Sequence, residues 1–300
     1  MTSHKTFITV TTGLDRQSPA MRLYEKAKKF GIWNPSDIDL REDRTHWQAF
    51  SAEEKDLVLR LIALFAAGEE AVTLDLLPLI QVIAEEGRLE EELYLTTFLF
   101  EEAKHTDFFR RVLDEVCEHH GDLTQYHSPS YQAIFYQHLP AAMHQLRQDP
   151  SAVHQVRASV TYNMIVEGML AETGYHAFFT MLERQNLMPG LREGISLLKK
   201  DESRHLAYGI FLLSRLVAEY PELWDDLESQ MNSLLYPAVA VISEAFSAYQ
   251  VPPFGLVEED FIIYAMDQFQ KRFARIEKAR GADIAQIIQT THQVIEDNNA

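Results

Sequence analysis

"FLFEEAKHTDFF" (residues 98–109) and "LLKKDESRHLAYG" (residues 197–209) each carry Glu-x-x-His inside apolar sequence, as Glu102 with His105 and as Glu202 with His205. Phe98, Glu102, His105, Phe109, Val112 and Val116 recur at intervals of 4, 3, 4, 3 and 4 residues, which is one stripe of an α-helix. Ile195, Leu198, Glu202, His205, Gly209, Leu212 and Leu216 repeat the pattern. Both acid–imidazole pairs therefore occupy core-facing positions, one turn apart. A buried carboxylate is costly unless a charge balances it. Upstream, Glu69 lies on the stripe Ile62, Phe65, Glu69, Val72, Leu76, and Glu167 on Val160, Met164, Glu167, Ala171, Gly174. No lysine or arginine occupies these stripes. Four acids and two histidines facing one interior call for a multivalent cation.

The rest of the chain supplies helices to carry them. Periodicity predicts helices over about 19–31, 51–86 (perturbed by Pro78), 88–120 (stopped by Gly121), 129–147, 151–186, 190–219, 222–249 and 256–279, divided by short Pro, Gly, Asn or Asp punctuation. Ser51 and Glu54 form a capping box. Strand signals are scarce, and no linker divides the chain. Residues 1–285 read as one all-α domain, and 286–300 as a final helix end or a mobile tail.

Composition excludes several classes. A net charge of −18 offers no basic face to nucleic acid or an anionic membrane. One cysteine, Cys117, allows no internal disulfide and no Cys-based zinc site, so a reduced, cytoplasmic setting is expected. The start lacks a secretory pattern. No uncharged run reaches the roughly 20 residues of a membrane span.

A single Glu-x-x-His is weak evidence in an acidic helical protein. Two copies, each preceded by a core-facing Glu on its own helix, match the ligand set of ferritin-like carboxylate bundles. The expected fold is thus an all-α, ferritin-like bundle with a dimetal-carboxylate core and additional helices. Carboxylates with one imidazole per metal suit iron or manganese. Asp201 is a candidate to hydrogen-bond a liganding imidazole, whereas Asp107, Glu101 and Glu172 are expected to face solvent or the layer outside the ligands.

Glu69, Glu102-x-x-His105, Glu167 and Asp201-Glu202-x-x-His205 resemble the metal-binding set of ribonucleotide reductase small subunits, and "WNPSDIDLREDRTHWQAFSAEEKDLVLRLIALF" (residues 33–65) is similar to their N-terminal region. Two departures stand out. Phe109 occupies the position, four residues after His105, where those subunits carry a radical tyrosine. The chain also ends in "QVIEDNNA", without their relay tyrosine. The sequence more closely resembles the ribonucleotide-reductase-small-subunit-like ligand-binding oxidases, in which the first ligand is Glu, as Glu69 is. That resemblance implies an O2-activating oxidase with a manganese–iron centre, a long-chain fatty acid held over it, and an ether cross-link between a Val and a Tyr. The matching positions are Val72 and Tyr162. Glu69, Glu102 and His105 would hold manganese and Glu167, Glu202 and His205 iron, with Glu102 bridging; a di-iron centre is the alternative. Val72 is one turn from Glu69. Tyr162 would point away from the site on an ideal helix, so a π-type distortion is expected there. Gly68, Ala67, Gly168 and Ala171 provide no bulk beside the ligands, leaving room for an acyl chain or letting helices approach closely. The resemblance further implies a homodimer. Rival readings are a reductase small subunit working through a metal-based radical, a ferritin-like iron store, and a non-catalytic lipid-binding protein.

Overall fold

The computed structural model describes residues 6–297, and among these there are helices and no strands. Helix α1 spans Pro19–Phe30 and α2 Arg41–Ala49. Ala52–Asp75 forms α3 and Leu77–Glu85 forms α4. Leu89–Arg111 forms α5, which runs on into a π turn at Val112–Val116. The composite α6 comprises Pro129–Gln132, Ala133–His138 and Leu139–Gln145. The composite α7 comprises Ala152–Ser159, a π-helical segment Val160–Ala171, and Glu172–Leu182. Pro189–Glu219 forms α8, Trp224–Phe246 α9, Glu258–Glu277 α10 and Ile284–Asp297 α11. None of these helices is long and apolar enough to cross a membrane.

At the centre, α3 packs on α5 and α7 on α8, with α1 lying across α5 and α8. Each central pair holds one Glu and one Glu-x-x-His. Local chemistry fixes the helix ends. Ser51 accepts from the Glu54 amide while Glu54 accepts from the Ser51 amide, closing the capping box that starts α3, worth about 1 kcal/mol. Glu90, Glu91 and Glu92 open α5, and Arg110 and Arg111 close it, each sign opposing the adjacent end of the helix dipole.

Three expectations change. The predicted 51–86 helix breaks at Leu76, and Pro78 stands in the first turn of α4, where its missing N–H costs nothing. The 88–120 helix ends at Cys117 because Glu118 turns left-handed (φ 50°), four residues after Asp114 and before Gly121 is reached. Helix α2 was not foreseen, and it positions the centre: its buried Asp43 accepts from the Gly190 and Leu191 amides at 2.9 and 2.6 Å, capping α8 from another helix. The last stretch is helical through Asp297, with Ile287 and Ile295 buried; residues 298–300 of the expected tail lie outside the described residues.

Candidate metal centre

The central helices bring six side chains to one point. Glu69 comes from α3, Glu102 and His105 from α5, Glu167 from α7, and Glu202 and His205 from α8; none is more than 5% exposed. Glu69, Glu102, His105 and Glu202 each bring one ligand atom within 4.8 Å of the others, and so do Glu102, Glu167, Glu202 and His205. Glu102 and Glu202 belong to both groups. The resemblance implies Glu102 as a bridge between the metals; the geometry gives Glu202 the same reach.

His105 Nδ1 lies 3.4 Å from Glu69 Oε2, 3.5 Å from Glu102 Oε2 and 3.4 Å from Glu202 Oε1. His205 Nδ1 lies 3.1 Å from Glu102 Oε1, 3.4 Å from Glu202 Oε2 and 3.8 Å from Glu167 Oε1. Yet both Nδ1 atoms, with Glu102 Oε2, Glu167 Oε1 and Glu202 Oε2, are buried without a hydrogen-bond partner. Buried polar atoms are ordinarily paired. Five unpaired donor atoms aimed at one another fit two hard cations, each taking carboxylate oxygens and one imidazole nitrogen.

Around this inner set lies a crossed outer layer. His105 Nε2 faces Asp201 Oδ2 at 3.3 Å, and His205 Nε2 faces Glu101 Oε2 at 2.9 Å. Each imidazole is thus oriented by the acid that precedes the glutamate of the other motif. Asp201 also accepts from Trp33 Nε1 at 2.8 Å and Lys104 Nζ at 3.2 Å, and Arg204 joins Glu101 to Asp201. Lys104 and Arg204 are buried cations that the stripe reading passed over, because they sit beside the ligand stripes on the same helices. They offset Glu101 and Asp201, not the inner four carboxylates. Glu101 is therefore no surface acid, as sequence reading allowed it to be; Asp107 is exposed, and Glu172 is buried against Tyr264 and Lys199.

Protons show the same imbalance. Burial pushes the Glu69 carboxyl up to about 8 against the pull of His105, and burial with the neighbouring Glu202 carboxylate holds Glu167 well above the usual range. Glu102 stays low despite burial because both imidazoles face it. Burial disfavours the two imidazolium ions, but Glu69 beside His105 and Glu202 beside His205 override it and raise both. Without a cation, protons neutralise the cluster.

Glu167 is further oriented by Asn163 Nδ2 at 2.9 Å, and Asn163 by Ser159 Oγ at 2.8 Å. A side chain at Gly209 would collide with Asn163, so that glycine admits the support. The π-helical segment Val160–Ala171 turns Tyr162 inward, as expected. Its hydroxyl donates to the Val72 carbonyl at 3.3 Å and to Glu102 Oε1 at 3.5 Å. Burial pushes that phenol well above its ordinary value. Phe109 is fully buried and stacks on Phe65 with ring centroids 5.1 Å apart.

An apolar cavity of about 120 Å³ begins at Glu69 and is lined by Phe65, Gly68, Leu170, Ala171 and Phe246, among others. A Cβ added at Gly68 would meet nothing nearer than Phe135 at 3.4 Å, so packing does not require that glycine. At Gly168 it would meet the Asn163 carbonyl at 2.9 Å; close approach explains that one. Ala67 and Gly168 are not on the cavity wall.

The family model for "ribonucleotide reductase, small chain" matches residues 17–274. Solved structures of R2-like ligand-binding oxidases are similar over nearly their whole length. One with aerobically reconstituted Mn/Fe cofactor is 38% identical, with 91% of this chain and 98% of that one covered and a TM-score of 0.88. A Y162F mutant of such an oxidase, also with aerobically reconstituted Mn/Fe, is 39% identical over 91% and 98% with a TM-score of 0.86. A V72L mutant with anaerobically reconstituted Mn/Fe is 38% identical over the same shares with a TM-score of 0.87. With the six-residue centre, the inward tyrosine and the phenylalanine at position 109, these matches lead to one conclusion: the chain belongs to the ribonucleotide reductase small chain family, among its R2-like ligand-binding oxidases.

Proposed function

We propose that this protein is an O2-dependent oxidase that holds one manganese and one iron, binds a long-chain fatty acid or similar lipid, and joins Val72 to Tyr162 by an ether bond. The observation that carries this reading is the Tyr162 hydroxyl, turned by the π-helical segment to 3.3 Å from the Val72 carbonyl and 3.5 Å from Glu102. The relatives' Mn/Fe cofactor supports the metal pair, and their V72L, Y162F and G68L variants coincide in residue type and number with Val72, Tyr162 and Gly68. Glu69, Glu102 and His105 would hold manganese, and Glu167, Glu202 and His205 iron. The donor set suits either element, so a di-iron centre is the variant to test.

When bound, the metals supply the reduction of O2 and with it an oxidant for an unactivated C–H bond. In the cross-link the Val72 Cβ–H and Tyr162 O–H bonds break and a Cβ–O bond forms. Two electrons and two protons leave, with O2 as their acceptor. Tyr162 resists ionisation while buried, so its proton departs only with the oxidation, and Glu102 faces it. The fatty-acid tail fills the cavity beside Gly68 and Ala171, with its carboxylate towards Glu69. Cations held by the glutamates would attract that carboxylate, whereas the proton-neutralised cluster of the metal-free protein offers it no opposite charge, so lipid binding depends on metal loading.

Peptide mass spectrometry after aerobic reconstitution tests the cross-link: the joined Val72 and Tyr162 peptides weigh two hydrogens less than their sum, and separate peptides alone refute it. Anomalous scattering at each metal's absorption edge tests the assignment. The homodimer and the cytoplasmic setting rest on the family resemblance and on the single cysteine, and light scattering tests the former. One observation favours the reductase reading instead: Trp33, Asp201 and His105 form a continuous hydrogen-bonded chain from near the surface to a ligand. Ribonucleotide turnover on adding a large subunit would establish that reading.

A further inference from the structure

The oxidase reading raises a question about oxidising equivalents that find no Val72 to attack. Beyond Tyr162, one buried tyrosine is connected to the centre by rings alone and also has a carboxylate to take its proton. Phe98 stacks on the His205 imidazole with centroids 3.6 Å apart. Tyr94 follows at 6.1 Å from Phe98, and Tyr208 at 5.2 Å from Tyr94. The Tyr208 hydroxyl donates to Glu91 Oε2 at 3.0 Å. Glu91 in turn pairs with Arg215 at 3.4 Å and with Arg88 at 3.8 Å, and the Arg88 side chain is 34% exposed. The series runs from a metal-ligand imidazole to the protein surface.

The other tyrosines each lack one of these parts. Tyr94 OH is buried without a partner, so oxidising it would leave a proton with nowhere to go; it can pass a charge but not hold one. Tyr175 donates to Glu202 at 3.4 Å, a carboxylate committed to metal. Tyr131 donates to the Leu64 carbonyl, a poor base. Tyr126 and Tyr249 reach Asp56, but no ring contact links them to the centre among the described residues.

We propose that Tyr208, with Glu91 as proton acceptor and Tyr94 and Phe98 as the conduit, is a redox-active tyrosine that discharges the oxidised centre when cross-linking is blocked. This rests on the oxidase reading. In the step, Tyr208 loses one electron to the O2-oxidised centre and its phenolic proton to Glu91, giving a neutral tyrosyl radical and a protonated Glu91. Burial raises the Tyr208 phenol well above its ordinary value, so the proton leaves together with the electron. An exogenous one-electron donor of the ascorbate class then restores the phenol from the Arg88 side.

The test uses Tyr162→Phe, in which the cross-linking outlet is closed, loaded with manganese and iron, mixed with O2 and frozen within seconds. Electron paramagnetic resonance should show an organic radical that narrows when the protein carries ring-deuterated tyrosine. Tyr208→Phe in that background should abolish it, Glu91→Gln should lower its yield at least tenfold, and Tyr249→Phe, whose hydroxyl reaches Asp56 away from the centre, should leave it. If Tyr208→Phe does not fold, 3-fluorotyrosine inserted at position 208 keeps the packing and must add fluorine splitting to the signal. A radical that is absent, that survives Tyr208→Phe, or that shows no fluorine splitting overturns the proposal. Oxygen uptake by the unmutated protein separates the two failures: if metal-loaded protein consumes no O2, the oxidase reading itself is wrong.

Discussion

Glu101→Gln offers a sharp test because its effect should appear at the metal held by the other motif. Glu101 is 1% exposed and receives hydrogen bonds on both oxygens: His205 Nε2 at 2.9 Å on Oε2, and Arg204 on Oε1. A glutamine has one oxygen. If it faces His205, its NH2 group meets the donors of Arg204; if it faces Arg204, His205 loses its acceptor. Truncating one partner of a buried ion pair costs about 3–5 kcal/mol, and the low end applies here because Asp201 still pairs with Arg204. For metal affinity, loss of such an orienting partner costs about 10- to 100-fold, or about 1.4–2.8 kcal/mol. The loss should fall on the metal at His205, with the metal at His105 nearly unaffected. Asp201→Asn should do the reverse, weakening the metal at His105. Competitive chelator titration gives the affinities, and anomalous scattering says which position empties. Equal weakening of both metals by each variant, or weakening of the His105 metal by Glu101→Gln, would refute the crossed arrangement.

If the proposed fatty acid occupies the cavity, protein extracted with organic solvent should yield it by mass spectrometry, and filling the cavity with Gly68→Leu should remove it while the protein still loads two metals per chain. Metal-free protein should lose thermal stability between roughly pH 4.5 and 8. Glu69 binds its proton more tightly in the folded protein (about 8) than in the unfolded chain, where a glutamate has its ordinary value of 4.5, and Glu167, His105 and His205 shift the same way, so their stabilisation is complete at the acid end and fades as pH rises; scanning calorimetry should find no such fall in the metal-loaded form. Because those protons must leave for metal to bind, uptake should release protons and strengthen with pH, which calorimetry in buffers of different ionisation enthalpy measures. Gly194→Ala would drive a methyl into the fully buried Phe108 ring, an overpacking worth about 1–3 kcal/mol, visible as a lower urea midpoint at unchanged slope.

The inner cluster of four glutamates and two histidines was legible because burial and chemistry coincide in their pattern. Glutamate and histidine on an apolar stripe contradict the stripe unless something binds them, and the contradiction occurs twice. Helix ends were less legible. Gly121 is the conventional stop after α5, yet Glu118 adopts the left-handed conformation first; local propensity did not point to it. Helix α2 was missed because nine residues with six charged or polar members before Trp47 show no wide apolar face, and its role lies in Asp43 reaching the α8 amides, 147 residues away.

Glu101 shows where single-helix periodicity stops being informative. It sits one residue from a ligand, so it points off the ligand stripe, and on an isolated helix that direction would be solvent. In this bundle the same direction faces α8, where His205 and Arg204 meet it. The pairing of α5 with α8 brings each motif's leading acid to the other's histidine, so the signal lies in the two motifs together: Glu101-Glu102-x-x-His105 and Asp201-Glu202-x-x-His205 both begin with an acid. A leading acid in one motif would be a surface residue; in both, it is what a two-fold-like exchange between helices requires. The buried Lys104 and Arg204 follow from the same geometry, since two outer carboxylates added to four inner ones need two fixed cations if the metals are to answer only for the inner four. On that argument, replacing Lys104 by methionine should weaken the metal at His105, whose Asp201 partner loses a donor, and should do so without touching any ligand; an unchanged affinity there would mean that the outer charges are compensated by something other than their buried partners.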